Sequence, residues 1–171
     1  MVKTKSIFWV LGITFLFQAC GYRFPGGAEL PGGAKRVFIT IFDNQTSETG
    51  IETLFTNDLV FEFTRRRKKA WAKDLEDADA VLSGVIAGVS IDTISVRGKY
   101  TAAERRISIG LDLKLTDQAG NLVWAANGVS DQEEYSVVAD RQQTEQNKQA
   151  AIRIISGRLA ERIYNRLTDD F

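Results

Sequence analysis

Ile107, Ile109, Leu111, Leu113 and Leu115 take every second position of one run, and Arg106, Ser108, Gly110, Asp112, Lys114 and Thr116 take the positions between them. Successive side chains of a strand point to opposite faces, so this pattern predicts a strand over 106–116 with one face buried and the other wetter. A helix would scatter the five aliphatics around its axis, because its side chains repeat every 3.6 residues. The chain is therefore committed to a sheet with one covered face. The cover has to come from elsewhere in the sequence.

Two segments have the right periodicity to supply it. Ile51, Leu54, Phe55, Leu59 and Phe63 recur at helical spacing and predict a helix running to about Lys69. Thr49 and Glu52 have the spacing of a capping box that would open it. Its end, Arg65-Arg66-Arg67-Lys68-Lys69, suits the negative end of a helix dipole. A second helix is predicted from about Asp140 to Thr168, with Asp140 and Gln143 at its start. Ile152, Ile155, Leu159, Ile163 and Leu167 form its buried stripe, and Arg158, Arg162 and Arg166 form a row read as a solvated face.

The rest of the sheet is read from shorter signals. Arg36 to Phe42 is strand-like and apolar on both faces, which places it centrally in the sheet. Asp43-Asn44-Gln45-Thr46-Ser47 is a turn cluster. Residues 70–79 form a connector in which Trp71 is expected to pack back on the core. Ala80 to Val96 reads as a strand, with Gly84 and Gly88 as expected bulges or kinks. A polar turn follows over 98–104. Asp117 to Asn121 is a hairpin turn that uses Gly120, and Leu122 to Tyr135 is the return strand. The order is β-α-β-β-β-α. It predicts an α+β domain over 36–171, with two helices packed on one face of a four-stranded, mostly antiparallel sheet.

Ahead of that domain stand Lys3 and Lys5, an apolar stretch from Ile7 to Phe17, and Ala19. This is the order of a secretory signal, read here as residues 1–19. Its apolar part, about 11 residues, is short of the ~20 that a membrane-crossing helix needs. The next residue, Cys20, is the only cysteine, so no internal disulfide can form. Phe17-Gln18-Ala19-Cys20-Gly21 resembles the bacterial lipobox. That resemblance implies that Cys20 is acylated and becomes the mature N-terminus. It also implies the outer membrane as destination, since no Asp follows the cysteine. Residues 20–35 hold both prolines and two Gly-Gly pairs, and read as an acylated N-terminus and short tether.

Composition excludes several functions. The chain carries 22 basic and 22 acidic residues, and loss of Lys3 and Lys5 with the signal leaves a net charge near −2. A general nucleic-acid binder would be strongly basic. There is no histidine, which removes Ser-His and Cys-His nucleophile systems and His-ligated metal sites. Asp74, Asp77 and Asp79 are paired carboxylates in an acidic connector with no basic or metal-binding companion. No enzyme, cofactor or metal is expected.

Cys20-Gly21-Tyr22-Arg23-Phe24, then Ile41-Phe42-Asp43-Asn44-Gln45-Thr46, Gly50-Ile51-Glu52 and Ala78-Asp79-Ala80-Val81-Leu82-Ser83-Gly84-Val85-Ile86 occur in that order. Together they resemble the lipopolysaccharide-assembly lipoprotein family, LptE, over most of the mature chain. The resemblance implies a non-enzymatic outer-membrane lipoprotein on the periplasmic side. Such a protein plugs and helps assemble the β-barrel protein LptD, and binds lipopolysaccharide in transit to the surface. It further implies that basic residues near the tip of the central hairpin contact lipopolysaccharide, here Arg97, Lys99, Arg105 and Arg106. Guanidinium groups suit phosphate oxygens. A competing reading is a lipoprotein activator of a peptidoglycan synthase. Members of that class tend to have long tethers, whereas about 15 residues here span at most ~50 Å.

Overall fold

In the computed structural model, which describes residues 30–96 and 103–169, the alternating run lies inside a long antiparallel strand. In chain order the elements are β1 (Val37–Ile39), β2 (Asp43–Asn44), α1 (Ile51–Arg67), β3 (Ala80–Val96), β4 (Ala103–Asp117), β5 (Leu122–Val137) and α2 (Arg141–Asp169). The sheet order is β1-β3-β4-β5, with β2 also paired to β3. β1 and β2 run parallel to β3, and the other pairs are antiparallel. Both helices cover the face that carries Leu82, Ile86, Ile107, Ile109, Leu111 and Leu115. Against these pack Leu59 and Phe63 of α1 and Ile152, Ile155, Leu159, Ile163 and Leu167 of α2, each fully buried. Each such aliphatic side chain contributes about 1.5–3 kcal/mol through burial. The α+β expectation holds, with the predicted first strand broken in two.

That strand also lies at the edge of the sheet rather than at its centre. Val37 pairs with Ala80 and Asp43 with Val85, so the edge advances six residues while β3 advances five. The extra residue is a bulge, and it explains the misleading apolarity. Val37 and Ile39 enter the core at one parity and Phe42 enters at the other, while Ile41 is left 71% exposed. The ring of Phe42 lies over Gly84: a Cβ there would stand 2.8 Å from Phe42 Cε2 and Cζ. Gly84 is therefore a slot for a ring, not a kink. The irregularity in β3 falls between Ile86 and Gly88.

Two further expectations change. α1 has no capping box: Gly50, at φ 82°, precedes it, and no side chain caps the helix. Glu52 instead accepts from Asn44 Nδ2 at 2.9 Å. Asn44 also donates to the Glu48 carbonyl and accepts from the Thr46 backbone N–H and hydroxyl. Glu52's own backbone N–H and then Asn44 hold its carboxyl below the usual range. The Asn-Gln-Thr turn is thus the device that ties β2 to the first turn of α1. In the stretch read as tether, Leu30 is buried in the core, and Gly32, at φ 68°, lies against Val123. The folded part reaches back to Leu30.

α2 starts as read, with Asp140 Oδ1 accepting from the backbone N–H of Gln142 and Gln143. It ties to α1 at several levels. Ser156 donates to the Asp58 carboxylate, Arg66 pairs with Glu161, and Phe63 meets Tyr164 edge-on at 5.1 Å. Near the start, Lys148 Nζ donates to both oxygens of Glu48 at 2.8 and 2.9 Å. Burial opposes the charge on Lys148, but the hydrogen bonds and charges of Glu48 and Glu145 outweigh it and raise its pKa. A raised folded pKa stabilises fully below the unfolded value, about 10.4 for Lys, and that stability is lost as pH rises through the folded value. Lys148→Met is expected to cost about 1–3 kcal/mol at pH 7 in urea unfolding. The gap to the parent should narrow as pH rises above ~10.4, and also in acid as the Glu145 carboxyl, held below its usual range by Gln149 and then Lys148, takes up its proton; a gap that persisted unchanged at high pH would contradict the sign.

Candidate functional site

Cys20, Arg97 and Lys99 lie outside the described residues. Arg105 and Arg106 are described, and they do not form one patch. They are consecutive on β4, so their side chains leave opposite faces of the sheet. Arg106 is on the uncovered face, where it donates to Glu134 at 2.7 Å and lies across from Asp92. Arg105 is on the helix side, in register with Thr93 and Tyr135, and is exposed. The cover runs out here. α1 begins beside β2, whose last partner on β3 is Ile86. β3 continues past it, and Ile91 and Ile94 are left 41% and 42% exposed. The described outer part of the β3–β4 hairpin thus leaves Ile91 and Ile94 partly exposed, with Arg105 and Arg106 opposite.

Two members of the α2 arginine row are more than the solvated face read from the sequence: Arg158 and Arg162 bind β5, while Arg166 is exposed. Arg158 pairs with Asp131 at 2.6 Å and with Glu133 at 2.7 Å, and donates to the Gln132 carbonyl. Arg162 donates to the Ser130 carbonyl, and Asn147 to that of Ser136. β5 is an edge strand, so these bonds occupy carbonyls that would otherwise offer a template to another strand. One signal could have found this: Asp131 and Glu133 share a strand face while Arg158 and Arg162 share a helix face.

The basic run at the end of α1 divides in two. Glu62 accepts from Arg65 and Arg66, and Arg66 also lies over the Tyr164 ring at 5.2 Å. Arg67, Lys68 and Lys69 instead line a concavity of about 620 Å³ together with Gly33, Ala34 and Lys35. The connector acids do not converge on a site. Asp77 pairs with Arg36 at 3.3 Å, and Asp79 accepts the backbone N–H groups of Lys35 and Arg36. Among the described residues, no three metal-ligating side chains come together. On the uncovered sheet face, a second concavity of about 580 Å³ lies between the exposed Ile41 and Leu122, floored by Val85 and Ala125, with Lys114 and Asp112 at its polar side.

Comparison with known proteins agrees with this architecture. A family model described as LptE, lipopolysaccharide-assembly, matches residues 34–167. No curated protein matches the chain significantly. Among solved structures, uncharacterized lipoprotein B from Nitrosomonas europaea superposes with a TM-score of 0.54 at 15% identity, covering 86% of this chain and 90% of its own. Rare lipoprotein B from Shewanella oneidensis reaches a TM-score of 0.49 at 11% identity, over 77% of this chain and 94% of its own. At such identity the first likeness speaks for the fold alone.

Proposed function

As the chain belongs to the lipopolysaccharide-assembly family LptE, we propose that it is an outer-membrane lipoprotein that plugs and helps assemble an LptD-like β-barrel and binds lipopolysaccharide on its way to the cell surface. The observation that carries this reading is the extent of the family match, which takes in both helices and all the strands. The geometry supports it. The sheet face away from the helices has a small-chained patch, with Gly88, Ser90, Ser108 and Gly110 in adjacent register beside the Arg106–Glu134 pair, which suits close approach to a surrounding wall. The tether supports it too. With Leu30 in the core, nine residues lie between it and Cys20, a reach of at most ~35 Å. The work is done beside the membrane, which weighs against a synthase activator across the periplasm. Stoichiometric recovery of a large β-barrel from detergent-solubilised outer membrane tests the partner; recovery of a synthase instead would overturn it.

The ligand-contacting residues are proposed to be Arg97, Lys99, Arg105 and Arg106. Because Arg105 and Arg106 leave opposite faces, single charge reversals separate their roles. Each charge-assisted bond to a phosphate is worth about 1.5–3 kcal/mol, so Arg105→Glu or Arg106→Glu should weaken lipopolysaccharide binding roughly tenfold or more. Unfolding of Arg105→Glu should shift by no more than ~0.5 kcal/mol, since Arg105 is exposed; Arg106→Glu would face Glu134 and Asp92 with like charge, so Arg106→Gln is its control. Unchanged binding of both variants would remove them from the site.

A further inference from the structure

We propose that the basic concavity at the end of α1 is a docking surface for anionic phospholipid headgroups, which seats this end of the domain on the membrane leaflet that holds its anchor. The inference rests on the lipid-anchored reading above. Its first support is convergence. Lys35 comes from the lead-in and Lys68 and Lys69 from the single 3-10 turn after α1, yet all three line one hollow with Arg67, and no acid is among its lining residues. Attraction to the helix dipole explains a run of cations in the last turn. It does not explain Lys35, which belongs to a different segment.

The second support is how the neighbouring acids are committed. Glu62 takes Arg65 and Arg66, Asp77 takes Arg36, and Asp79 takes two backbone N–H groups. Lys35, Lys68 and Lys69 are all exposed. In a chain of net charge near −2, three such lysines in one hollow are a local departure, not a general basicity. Flexible, strongly hydrated ammonium groups suit mobile phosphates.

The third support is place. Gly33 and Ala34 line the same hollow, and the chain reaches them from Cys20 through Leu30. Nine residues lie between Cys20 and Leu30, so Leu30 stays within ~35 Å of the anchoring cysteine, and the hollow begins three residues farther on. That tether is long enough for the hollow to reach the bilayer surface, and cations within a Debye length of it, about 8–10 Å, each gain about fivefold in partition.

The test uses the chain from residue 20 onward with Cys20→Ser. This keeps the whole described core, which runs from Leu30 to Leu167. It is floated with vesicles of phosphatidylcholine alone or with about one-third phosphatidylglycerol, at low and at high salt. Binding is expected only to the anionic vesicles, and is expected to fall as salt rises. The triple variant Lys35→Gln/Lys68→Gln/Lys69→Gln should lose about a hundredfold in partition, and each single variant about fivefold. Lys114→Gln, on the uncovered sheet face, should change nothing. Equal partition to neutral vesicles, no binding at low salt, or a triple variant that binds like the parent would overturn the proposal. Barrel recovery by the acylated triple variant is read separately, so failure here leaves the plug reading standing, and the converse.

Discussion

The double variant Phe42→Ala/Gly84→Ala is expected to be far less destabilised than the sum of its two single variants. Phe42 is buried with its ring over Gly84. Truncating it leaves a cavity beside β3 and should cost about 3–5 kcal/mol. Gly84→Ala alone puts a methyl group 2.8 Å from Cε2 and Cζ of that ring, closer than carbon atoms pack. Phe42 cannot swing out freely, because its backbone N–H is fixed to the Thr56 hydroxyl at 3.1 Å. Overpacking of this kind should cost about 1–3 kcal/mol. With the ring gone, the same methyl enters the empty slot and stiffens a strand interior, where Ala is favoured over Gly by about 0.5–1 kcal/mol. The cycle should therefore show coupling of about 1–3 kcal/mol in urea unfolding of the four proteins. Additivity within ~0.5 kcal/mol would mean that ring and glycine do not share the slot.

This pair also marks the boundary of what the residues reveal. The strand at 106–116 and the stripe of α2 were legible because each obeys one period over many residues, so a single misplaced residue cannot disguise it. The edge segment 36–42 was not. Its two apolar parities suggested burial from both sides. In fact one inserted residue between Ile39 and Asp43 changes parity, so that Val37, Ile39 and Phe42 all serve a single core. A bulge adds a residue without altering composition, and no periodic template records it. Thr49 and Glu52 failed for a related reason. Capping-box spacing is a local preference, and Glu52 found a better donor in Asn44, eight residues earlier.

The candidate sites divide along the same line. Neighbouring residues on a strand must face apart, so the opposition of Arg105 and Arg106 was already implied by the alternation of Ile107 and Ile109. Reading them as members of one hairpin tip ignored that rule. The fate of Arg158 and Arg162 needed the third dimension, since their acids Asp131 and Glu133 lie more than twenty residues away. So did the meeting of Lys35 with Lys68 and Lys69. A helix end and a lead-in strand become neighbours only after β1 has paired with β3.

Replacing residues 1–20 with a cleavable secretory signal that leaves no cysteine is expected to move the domain from the membrane to the soluble periplasmic fraction. Among the described residues no helix is long and apolar enough to cross a bilayer. The anchor proposed is the modification at Cys20. One myristoyl-length chain holds a protein only marginally, with a constant near ~10⁴ M⁻¹. Two or three chains, at ~0.8 kcal/mol per buried methylene, make release negligible. The lysine hollow cannot substitute, since three cations at about fivefold each amount to roughly a hundredfold, and salt screens them. A barrel partner could still retain the soluble form, so fractionation is done in cells depleted of it. In the parent chain, trypsin should release Cys20-Gly21-Tyr22-Arg23 as its N-terminal peptide, carrying the mass of a diacylglyceryl group on the thiol. An unmodified Cys20, or a peptide that still includes Ala19, would show that the chain is held by other means.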